Sequence, residues 1–467
     1  MLNVVFNSNS KIDDHSGLTS SDAIGGFGLF LFLLFFQLNA TVAYIGLLVM
    51  ASVFAVQAKT WMPLIKRDSV ASVYLLISLY VVFFTIWAIV EFPATSEDQR
   101  KMLFNWLHWL FFIPVAWQQF RHRKYIDTML LMLAAGVLIR IIVNFPWADF
   151  GKLFQTERTG FGMSMTVFAP IASSTVLGLL LLAPRIATQI STTTRWPLRL
   201  KTLGWLLASA ILLESIVLTQ TRGVWLASAL VFPVALIVRY RSSLASHMKI
   251  SIKSIAMLVL LCGFAGLFVV KNYQTIFNRI NSEQVQPQPE VIKQQIQGQE
   301  VILTTSVGYR KILLEIGWRK WKERALLGWG PGTTEELLKQ ENNPLFSQSV
   351  TLKDGSTETL HLYHLHNLYL EFLVRFGVLG TLLFLTLPVL LMSNVWKAQA
   401  NGSIPWDYVC FLFAGWTLMA ITSFFDFLLY KYAWRNYCVI WAALTYAIHL
   451  EQLSLQHEKI QSKKQEK

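Results

Sequence analysis

Apolar stretches of about 20 residues, the length that crosses a bilayer as a helix, recur along almost the whole chain between shorter polar segments. The pattern therefore predicts twelve membrane-spanning helices, at residues 24–38, 41–57, 70–90, 102–119, 127–144, 163–183, 203–220, 224–239, 254–270, 366–392, 407–424 and 436–450. One polar interruption is long, because residues 271–363 separate the ninth predicted span from the tenth.

The long segment contains parts with different patterns. Residues 281–299 are rich in Gln and contain two prolines, which is typical of a flexible linker. Residues 306–327 place apolar side chains at helical spacing with Lys and Arg between them, so an amphipathic helix is predicted. Trp318 and Trp321 suit a position of this helix at the membrane surface, and the Gly-rich run 328–332 ends it.

Composition agrees with a chain that mostly faces lipid. Hydrophobic residues make up 54% of it and charged residues 14%, whereas about 25% of residues are charged in soluble domains. The expected fold class is an all-α polytopic membrane protein with about twelve transmembrane helices and one large outer loop that contains amphipathic helices. The expected divisions are helices one to nine in 1–270, the loop domain in 271–365, helices ten to twelve in 366–450 and a cytoplasmic tail in 451–467.

The net charge of +13 is distributed unevenly between the two sides of the predicted membrane. With the N-terminus inside, the inner loops and the C-terminal tail hold nineteen Lys and Arg residues, and the short outer loops hold seven. This asymmetry follows the positive-inside rule. It predicts that both termini are cytoplasmic, and it argues against nucleic acid as the partner of the basic residues.

His366 and Asn367 open the tenth predicted span, and Gly377 and Gly380 follow after nine intervening residues. This arrangement resembles the O-antigen ligase family, whose signature has His, a small polar residue and Gly-x-x-Gly at this spacing at the outer end of a late span. The family belongs to a superfamily that also contains O-antigen polymerases and protein O-oligosaccharyltransferases. The layout of twelve spans with a large loop between the ninth and tenth is also similar.

Two arginines extend the resemblance. Arg222 follows Thr221 at the outer end of the seventh predicted span, and Arg310 lies in the long loop. The resemblance implies a GT-C-like glycan transferase of the bacterial inner membrane, with its active site facing the periplasm. The implied donor is a glycan on undecaprenyl diphosphate, the implied acceptor is a lipid A-core sugar or another glycan, and no metal or cofactor is implied. His366 would be the catalytic residue, and Arg222 and Arg310 would bind the donor diphosphate.

The chemistry of these residue types favours the same roles. A diphosphate leaving group gains charge as the glycosidic bond breaks, and arginine binds phosphate oxygens bidentately while remaining charged. The attacking hydroxyl needs a positioned base, which is commonly a neutral histidine. His366 is expected to begin a helix, where the positive end of the helix dipole disfavours imidazolium.

Each candidate also has a plainer interpretation. Arg222 can anchor a helix end at the headgroups, and Arg310 lies on a basic helix whose charges can simply be solvated. Gly377 and Gly380 fall on one helix face and can permit close packing. The remaining candidates are possible supporting residues of the site: Asn367, Glu214, Arg158 and Lys152. Glu214 can hold an arginine or be a protonated structural residue, and Arg158 and Lys152 can add to a phosphate-binding surface.

His361, His364 and His366 can also be interpreted as a zinc site. No Cys accompanies them, since Cys262, Cys410 and Cys438 lie apart in apolar stretches, so no metal is expected. The competing functions are O-antigen polymerase, protein O-oligosaccharyltransferase and, from another class, a membrane transporter. A transporter is expected to show inverted repeats and broken spans near the midplane, and neither is evident from the sequence.

Overall fold

The computed structural model describes residues 19–147, 158–183, 185, 198–245, 273, 277, 292–296, 299–303, 306–341, 346–351 and 357–465. The ninth predicted span and Lys152 lie outside the described residues.

Helices make up most of the described chain. The α-helices are α1 (Ser20–Phe35), α2 (Ala40–Val56), α3 (Ala58–Ile65), α4 (Ser69–Glu91), α5 (Ser96–Leu107), α6 (Phe112–Arg121), α7 (Ile126–Val143), α8 (Met165–Leu181), α9 (Leu198–Leu218), α10 (Arg222–Ala245), α11 (Ser306–Glu323), α12 (Thr334–Lys339), α13 (Leu368–Ala400), α14 (Trp406–Thr422) and α15 (Tyr432–Gln465). Short 3-10 helices occupy Pro93–Thr95, His108–Phe111 and Arg123–Tyr125.

Eleven of the twelve predicted spans fall on these helices, and the fourth is divided between α5 and α6. Five helices of the described chain are long and apolar enough to cross a membrane, and the pair α2 and α3, bent by 82°, would be a sixth. The five are Ser69–Glu91, Arg123–Val143, Arg222–Arg241, Leu368–Ala400 and Tyr432–Lys463. Four other apolar helices have only 10–17 residues. Membrane-spanning helices are therefore supported, and the count of twelve stays a prediction.

Helix α4 shows how apolar residues divide between lipid and core. One stripe at helical spacing is exposed and fits a lipid-facing surface, whereas the opposite stripe is buried against neighbouring helices. The exposed stripe consists of Leu75, Leu79, Phe83 and Ile86, and the buried one of Tyr74, Ile77, Val81 and Phe84. Helix α15 is buried all round from Ala433 to Ala447, so it lies at the centre of the bundle.

The beginning of α4 is tied to α15 by a buried carboxylate. Asp68 caps α4 by accepting a hydrogen bond from the Ala71 amide at 3.0 Å. It also accepts one from the Tyr446 hydroxyl at 3.0 Å and lies 2.7 Å from Nε2 of His449. A side chain that caps one helix and bonds another fixes the two helices relative to each other.

Helix α13 is broken at Gly377, which has φ 61° and ψ −168° inside the helix. Only glycine adopts this conformation readily. The break frees backbone groups that the segment 325–330 then pairs. The amides of Trp329 and Gly330 donate to the carbonyls of Val374 and Arg375 at 2.9 and 2.8 Å, and the Val378 amide donates to the Ala325 carbonyl at 2.9 Å.

Gly377 and Gly380 therefore have different structural roles, although the sequence pattern suggests that both can permit close packing. A Cβ atom at Gly377 would lie 2.2 Å from the Leu326 carbonyl oxygen, so this glycine permits the break and the docking of the loop. Gly380 fits the packing interpretation, because a Cβ atom there would lie 2.8 Å from the Tyr80 hydroxyl of α4.

The segment between α10 and α13 contains strands as well as helices. β1 (Ile292–Ile296) pairs antiparallel with β2 (Gln299–Leu303), and β3 (Ser347–Thr351) pairs antiparallel with β4 (Thr357–His361). The helices bear out the expected all-α bundle, to which the loop adds these two short hairpins. The linker expected at 281–299 is wrong at residues 292–296 and 299, which lie in strands, and its other residues lie outside the described chain. The predicted amphipathic helix is confirmed as α11.

Candidate active site

His366 lies in the turn that leads into α13. Asn367 is the N-cap of this helix, and its Oδ1 accepts a hydrogen bond from the Leu370 amide at 2.9 Å. His366 therefore precedes the helix that it was expected to begin. Its φ is +52°, which is uncommon for a residue other than glycine and persists where the surrounding structure fixes it, often at active sites.

Asp426, in the connection between α14 and α15, orients the His366 ring. Its Oδ1 lies 3.0 Å from Nδ1 of His366 and accepts a hydrogen bond from the Phe427 amide at 2.9 Å. Burial raises the pKa of the Asp426 carboxyl, but the hydrogen bond with His366, the charge that the neighbouring imidazoles carry when protonated and the Phe427 amide outweigh burial, so the pKa lies below its usual value. The ionised carboxylate therefore holds a proton on Nδ1 of His366 and leaves Nε2 able to accept another.

His364 lies against the same ring from the protein interior. The two imidazole centroids are 4.1 Å apart, and Nδ1 of His364 accepts a hydrogen bond from the His366 amide at 3.2 Å. Burial, together with the charge that His366 carries when it is protonated, lowers the pKa of His364 to about 3. His364 is therefore neutral at physiological pH, and it supports the backbone conformation of His366.

His364, His366 and Asp426 can also be considered as metal ligands. Each offers one ligand atom, and these atoms lie within 4.8 Å of one another. Two imidazoles and a carboxylate are a donor set that zinc accepts. The cluster differs from the one considered from sequence, because Asp426 takes the third place and the His361 side chain lies outside the described residues.

Arg222 is the first residue of α10, and the adjacent Gly223 packs against the segment that carries Asp426. Gly223 packs against the Phe425 ring so closely that a Cβ atom would lie 2.7 Å from it. Phe425 directly precedes Asp426. Any larger residue at 223 would push α10 away from this segment, so the glycine permits α10 to pack beside the residues that carry Asp426.

Arg158 supports the turn before Arg222. Its Nε donates to the Thr219 carbonyl at 3.2 Å, and its Nη2 lies 3.5 Å from the Gln220 carbonyl. Gln220 has a φ of +49°, so this turn is a second position where the surroundings impose an uncommon backbone. Arg158 thus supports the conformation of the turn and is also exposed, so its contribution to a phosphate-binding surface stays a prediction. Glu214 is half-buried in α9, two turns before Arg222.

Arg310 lies on α11, next to Tyr309, which contacts His366. The Tyr309 ring meets the His366 ring edge-on, with 5.9 Å between centroids, and burial raises the pKa of Tyr309 to about 12. Helix α11 is held there by a hydrophobic core in which Leu313 packs with Leu370 of α13. The structure therefore brings Arg222, Arg310 and His366 to one region through their immediate neighbours.

A buried ion pair fixes the segment that leads to His366. Glu371 and Arg375 are 0% and 2% exposed, with Nη2 of Arg375 2.6 Å from Oε1 of Glu371. The Glu371 carboxylate accepts hydrogen bonds from the Thr334 hydroxyl at 2.7 Å and from the Leu365 amide at 2.8 Å. Arg375 donates to the carbonyls of Tyr363, at 3.2 Å, and Pro331. The pair therefore joins α13 to the loop before α12 and to residues 363–365, which lead to His366.

Sequence reasoning missed the roles of Asp426 and of this pair. Asp426 lies just beyond the eleventh predicted span, and charges in or near spans tend to be paired or functional, but the sequence does not show which residue is its partner. Glu371 and Arg375 have the i, i+4 spacing of an ordinary helix-surface pair. The signal that distinguishes them is their position, since both lie among apolar residues between His366 and Gly377.

Comparison with known families agrees with the motif. Residues 207–385 match a family whose description is O-antigen ligase. The matched region contains Arg222, Arg310, His366 and both motif glycines, whereas Arg158 and Asp426 lie outside it. No curated protein matches the chain.

Proposed function

Because residues 207–385 match the O-antigen ligase family, we propose that the protein transfers a glycan from undecaprenyl diphosphate to a hydroxyl of the lipid A core. The protein is proposed to lie in the bacterial inner membrane with both termini in the cytoplasm and the site facing the periplasm. The observation that carries the proposal is the contact of Asp426 with Nδ1 of His366, beside segments that bear Arg222 and Arg310.

In the proposed step, His366 acts as general base. The acceptor hydroxyl oxygen forms a bond to the anomeric carbon of the donor, and the bond from that carbon to the diphosphate oxygen breaks. The electron pair of the broken bond goes to the diphosphate, and the hydroxyl proton goes to Nε2 of His366. The Asp426 carboxylate then stabilises the imidazolium, as a buried carboxylate does in other base–carboxylate pairs.

Arg222 and Arg310 are proposed to bind the diphosphate. Their charge is needed before the reaction, when the diphosphate is already anionic, and more strongly as the leaving group forms. The guanidinium group provides two parallel donors for phosphate oxygens, which an ammonium group does not. This division makes the reaction independent of a metal, with the histidine cluster serving proton transfer.

The decisive experiment measures donor affinity and transfer rate separately in nanodiscs. His366→Ala should lower turnover by about 10²–10⁴-fold, the usual contribution of a positioned base, and leave donor affinity unchanged. Arg222→Lys and Arg310→Lys should weaken donor binding as well as turnover, because the bidentate contact is lost. His457→Ala, on the far part of α15, is the control. Full turnover in His366→Ala would contradict the assignment of the base.

Two further arms test the finer parts of the proposal. Transfer in excess EDTA should equal transfer without it, and loss of activity that zinc restores would assign the histidine cluster to a metal instead. Supplying the lipid A core, a second lipid-linked glycan or a Ser-containing peptide as the acceptor distinguishes ligase from polymerase and protein transferase. Product with the lipid A core alone is the expected result.

A further inference from the structure

An apolar cavity of about 190 Å³ lies within the helix bundle, among α4, α5, α13, α14 and α15. Its wall contains several aromatic rings, including Trp106, Trp416 and Trp434. An apolar cavity of about 150 Å³ stays dry and binds a hydrocarbon such as benzene. This cavity is larger, so its size and wall suit part of a hydrocarbon chain.

The cavity begins beside the candidate active site. Leu368 and Tyr369 line it and directly follow His366 and Asn367. Ser423 also lines it, accepts a hydrogen bond from the Leu368 amide at 2.9 Å and lies three residues before Asp426. A chain in the cavity would therefore emerge at the dyad of His366 and Asp426.

From there the wall follows α13 into the membrane-spanning region. Beyond the break at Gly377, its lining residues on α13 extend from Phe384 to Leu391, which at 1.5 Å per residue is roughly 10 Å of helix. The break folds the two parts of α13 together, so that the Phe372 and Phe384 rings stack with 5.0 Å between their centroids. Leu385 lines the cavity and is also exposed on the outside of the bundle, so lipid can reach the cavity from the side.

We propose that this cavity holds the isoprenoid chain of the lipid-linked donor, next to its diphosphate; this inference rests on the proposed function. In such a donor the diphosphate is bonded to the sugar on one side and to the first isoprene unit on the other. When the glycosidic bond lies at His366, the chain must leave the site within a few bonds. The lipid of a lipid A-core acceptor has no such constraint, because saccharide separates it from the attacking hydroxyl.

Unpaired polar groups on the wall also favour an unsaturated chain. The indole N–H groups of Trp106 and Trp109 are buried and have no hydrogen-bond partner among the described residues. Isoprene double bonds offer π electrons to such donors, as aromatic rings do in weak N–H···π contacts, whereas saturated acyl chains do not. The wall is therefore matched to a polyprenyl chain better than to an acyl chain.

The chain enters the cavity from lipid rather than from water, so the hydrophobic effect contributes little and packing decides the affinity. A fixed chain positions the diphosphate before the reaction, which is an orientation effect. The inference thus predicts that the enzyme distinguishes donors by their lipid even when the glycan and the diphosphate are identical.

The test uses a matched pair of substitutions on α4. Ser78 lines the cavity, and the adjacent Leu79 is 59% exposed on the lipid-facing stripe. Ser78→Trp should raise KM for a long-chain polyprenyl donor by about tenfold, because the added ring occupies the cavity. It should leave KM for a geranyl-linked donor and for the acceptor unchanged, and Leu79→Trp should leave all three unchanged. Ala442→Leu, which enters from α15, is the second cavity variant if Ser78→Trp does not fold.

Equal effects of Ser78→Trp and Leu79→Trp would overturn the inference, and so would a raised KM for the acceptor alone, which would assign the cavity to an acyl chain. Binding of a long-chain polyprenyl diphosphate without glycan, measured with the same variants, separates this inference from the proposed function. If the unaltered protein transfers no glycan, the proposed function fails. Weaker polyprenyl diphosphate binding by Ser78→Trp than by Leu79→Trp would then still support the cavity, and equal binding would overturn it.

Discussion

At the scale of single residues, the contact between Asp426 and His366 determines which nitrogen can accept a proton. Asp426→Asn keeps the size of the side chain, but its amide can donate to Nδ1 and place the ring proton on Nε2. Turnover should then fall by about 10²–10⁴-fold with donor affinity unchanged, because the base is in the wrong tautomer. The measurement is single-turnover transfer with bound donor.

Asp98→Asn on α5 is the control for that substitution, because Asp98 is a half-buried aspartate that is no part of the candidate site. It should transfer glycan at the unaltered rate. Undiminished turnover in Asp426→Asn would show that the carboxylate does not set the tautomer of His366.

The buried His364 makes stability depend on pH. Its pKa is about 3 in the folded protein and about 6.5 in an unfolded chain. Below pH 6.5 the unfolded state therefore binds a proton that the folded state does not bind. The contribution of His364 to the free energy of unfolding is complete above pH 6.5 and declines as the pH falls below it. From pH 7 to pH 5 the free energy of unfolding should fall by about 2 kcal/mol on this account.

Thermal unfolding in detergent with EDTA, at both pH values, measures this dependence. His364→Asn retains an acceptor for the His366 amide and does not titrate, so its unfolding temperature should change less between pH 7 and pH 5 than that of the unaltered protein. His457→Asn should behave like the unaltered protein. An identical pH dependence for His364→Asn would contradict the assignment.

At the scale of elements, the pair of Glu371 and Arg375 holds α13 to the loop before it. Removing one partner leaves a buried charge without compensation, so Glu371→Ala should lower the free energy of unfolding by about 3–5 kcal/mol. Replacing both residues, as in Glu371→Leu with Arg375→Met, should recover much of this loss. The unfolding temperature and transfer rate of each variant measure the effect.

Glu97 and Lys101 on α5 provide the control for the ion pair. They have the same i, i+4 spacing, with 2.7 Å between Nζ and Oε1, but their side chains are largely exposed. Exposed pairs contribute little, so Glu97→Ala should leave the unfolding temperature almost unchanged. A similar small effect of Glu371→Ala would show that the buried pair does not fix the segment.

The elements also show what the sequence can predict. Apolar length located eleven helices, because a lipid-facing helix such as α4 must be apolar on both stripes. The break at Gly377 was not predicted, since glycine is frequent in transmembrane helices and its conformation here depends on segment 325–330. The local sequence pattern likewise identified His366 and Arg222 as candidate site residues. It contains no information on the pairing of His366 with Asp426, sixty residues later.

At the scale of the whole molecule, the charge asymmetry predicts that residues 271–363 lie outside the cytoplasm and that 185–202 and 451–467 lie inside. Single cysteines at Gln288 and Ser462 test this in a variant whose Cys262, Cys410 and Cys438 are replaced by Ala. A membrane-impermeant thiol reagent added to intact cells, after the outer membrane is made permeable, should label position 288. Position 462 should react only after lysis, and its labelling in intact cells would refute the topology.

The docking of segment 324–332 has a consequence for how the protein is made. This segment bonds backward to α4 and α5, through Arg324 to Glu91 at 3.1 Å and the Gly332 amide to Gln99 at 2.7 Å, and forward to the broken part of α13. Synthesis delivers the segment before α13 exists, so half of its partners are absent when it emerges. The catalytic region can therefore assemble only after α13 has been inserted, as a late step of biogenesis. Until then the unpaired glycine-rich segment is accessible to chaperones and proteases.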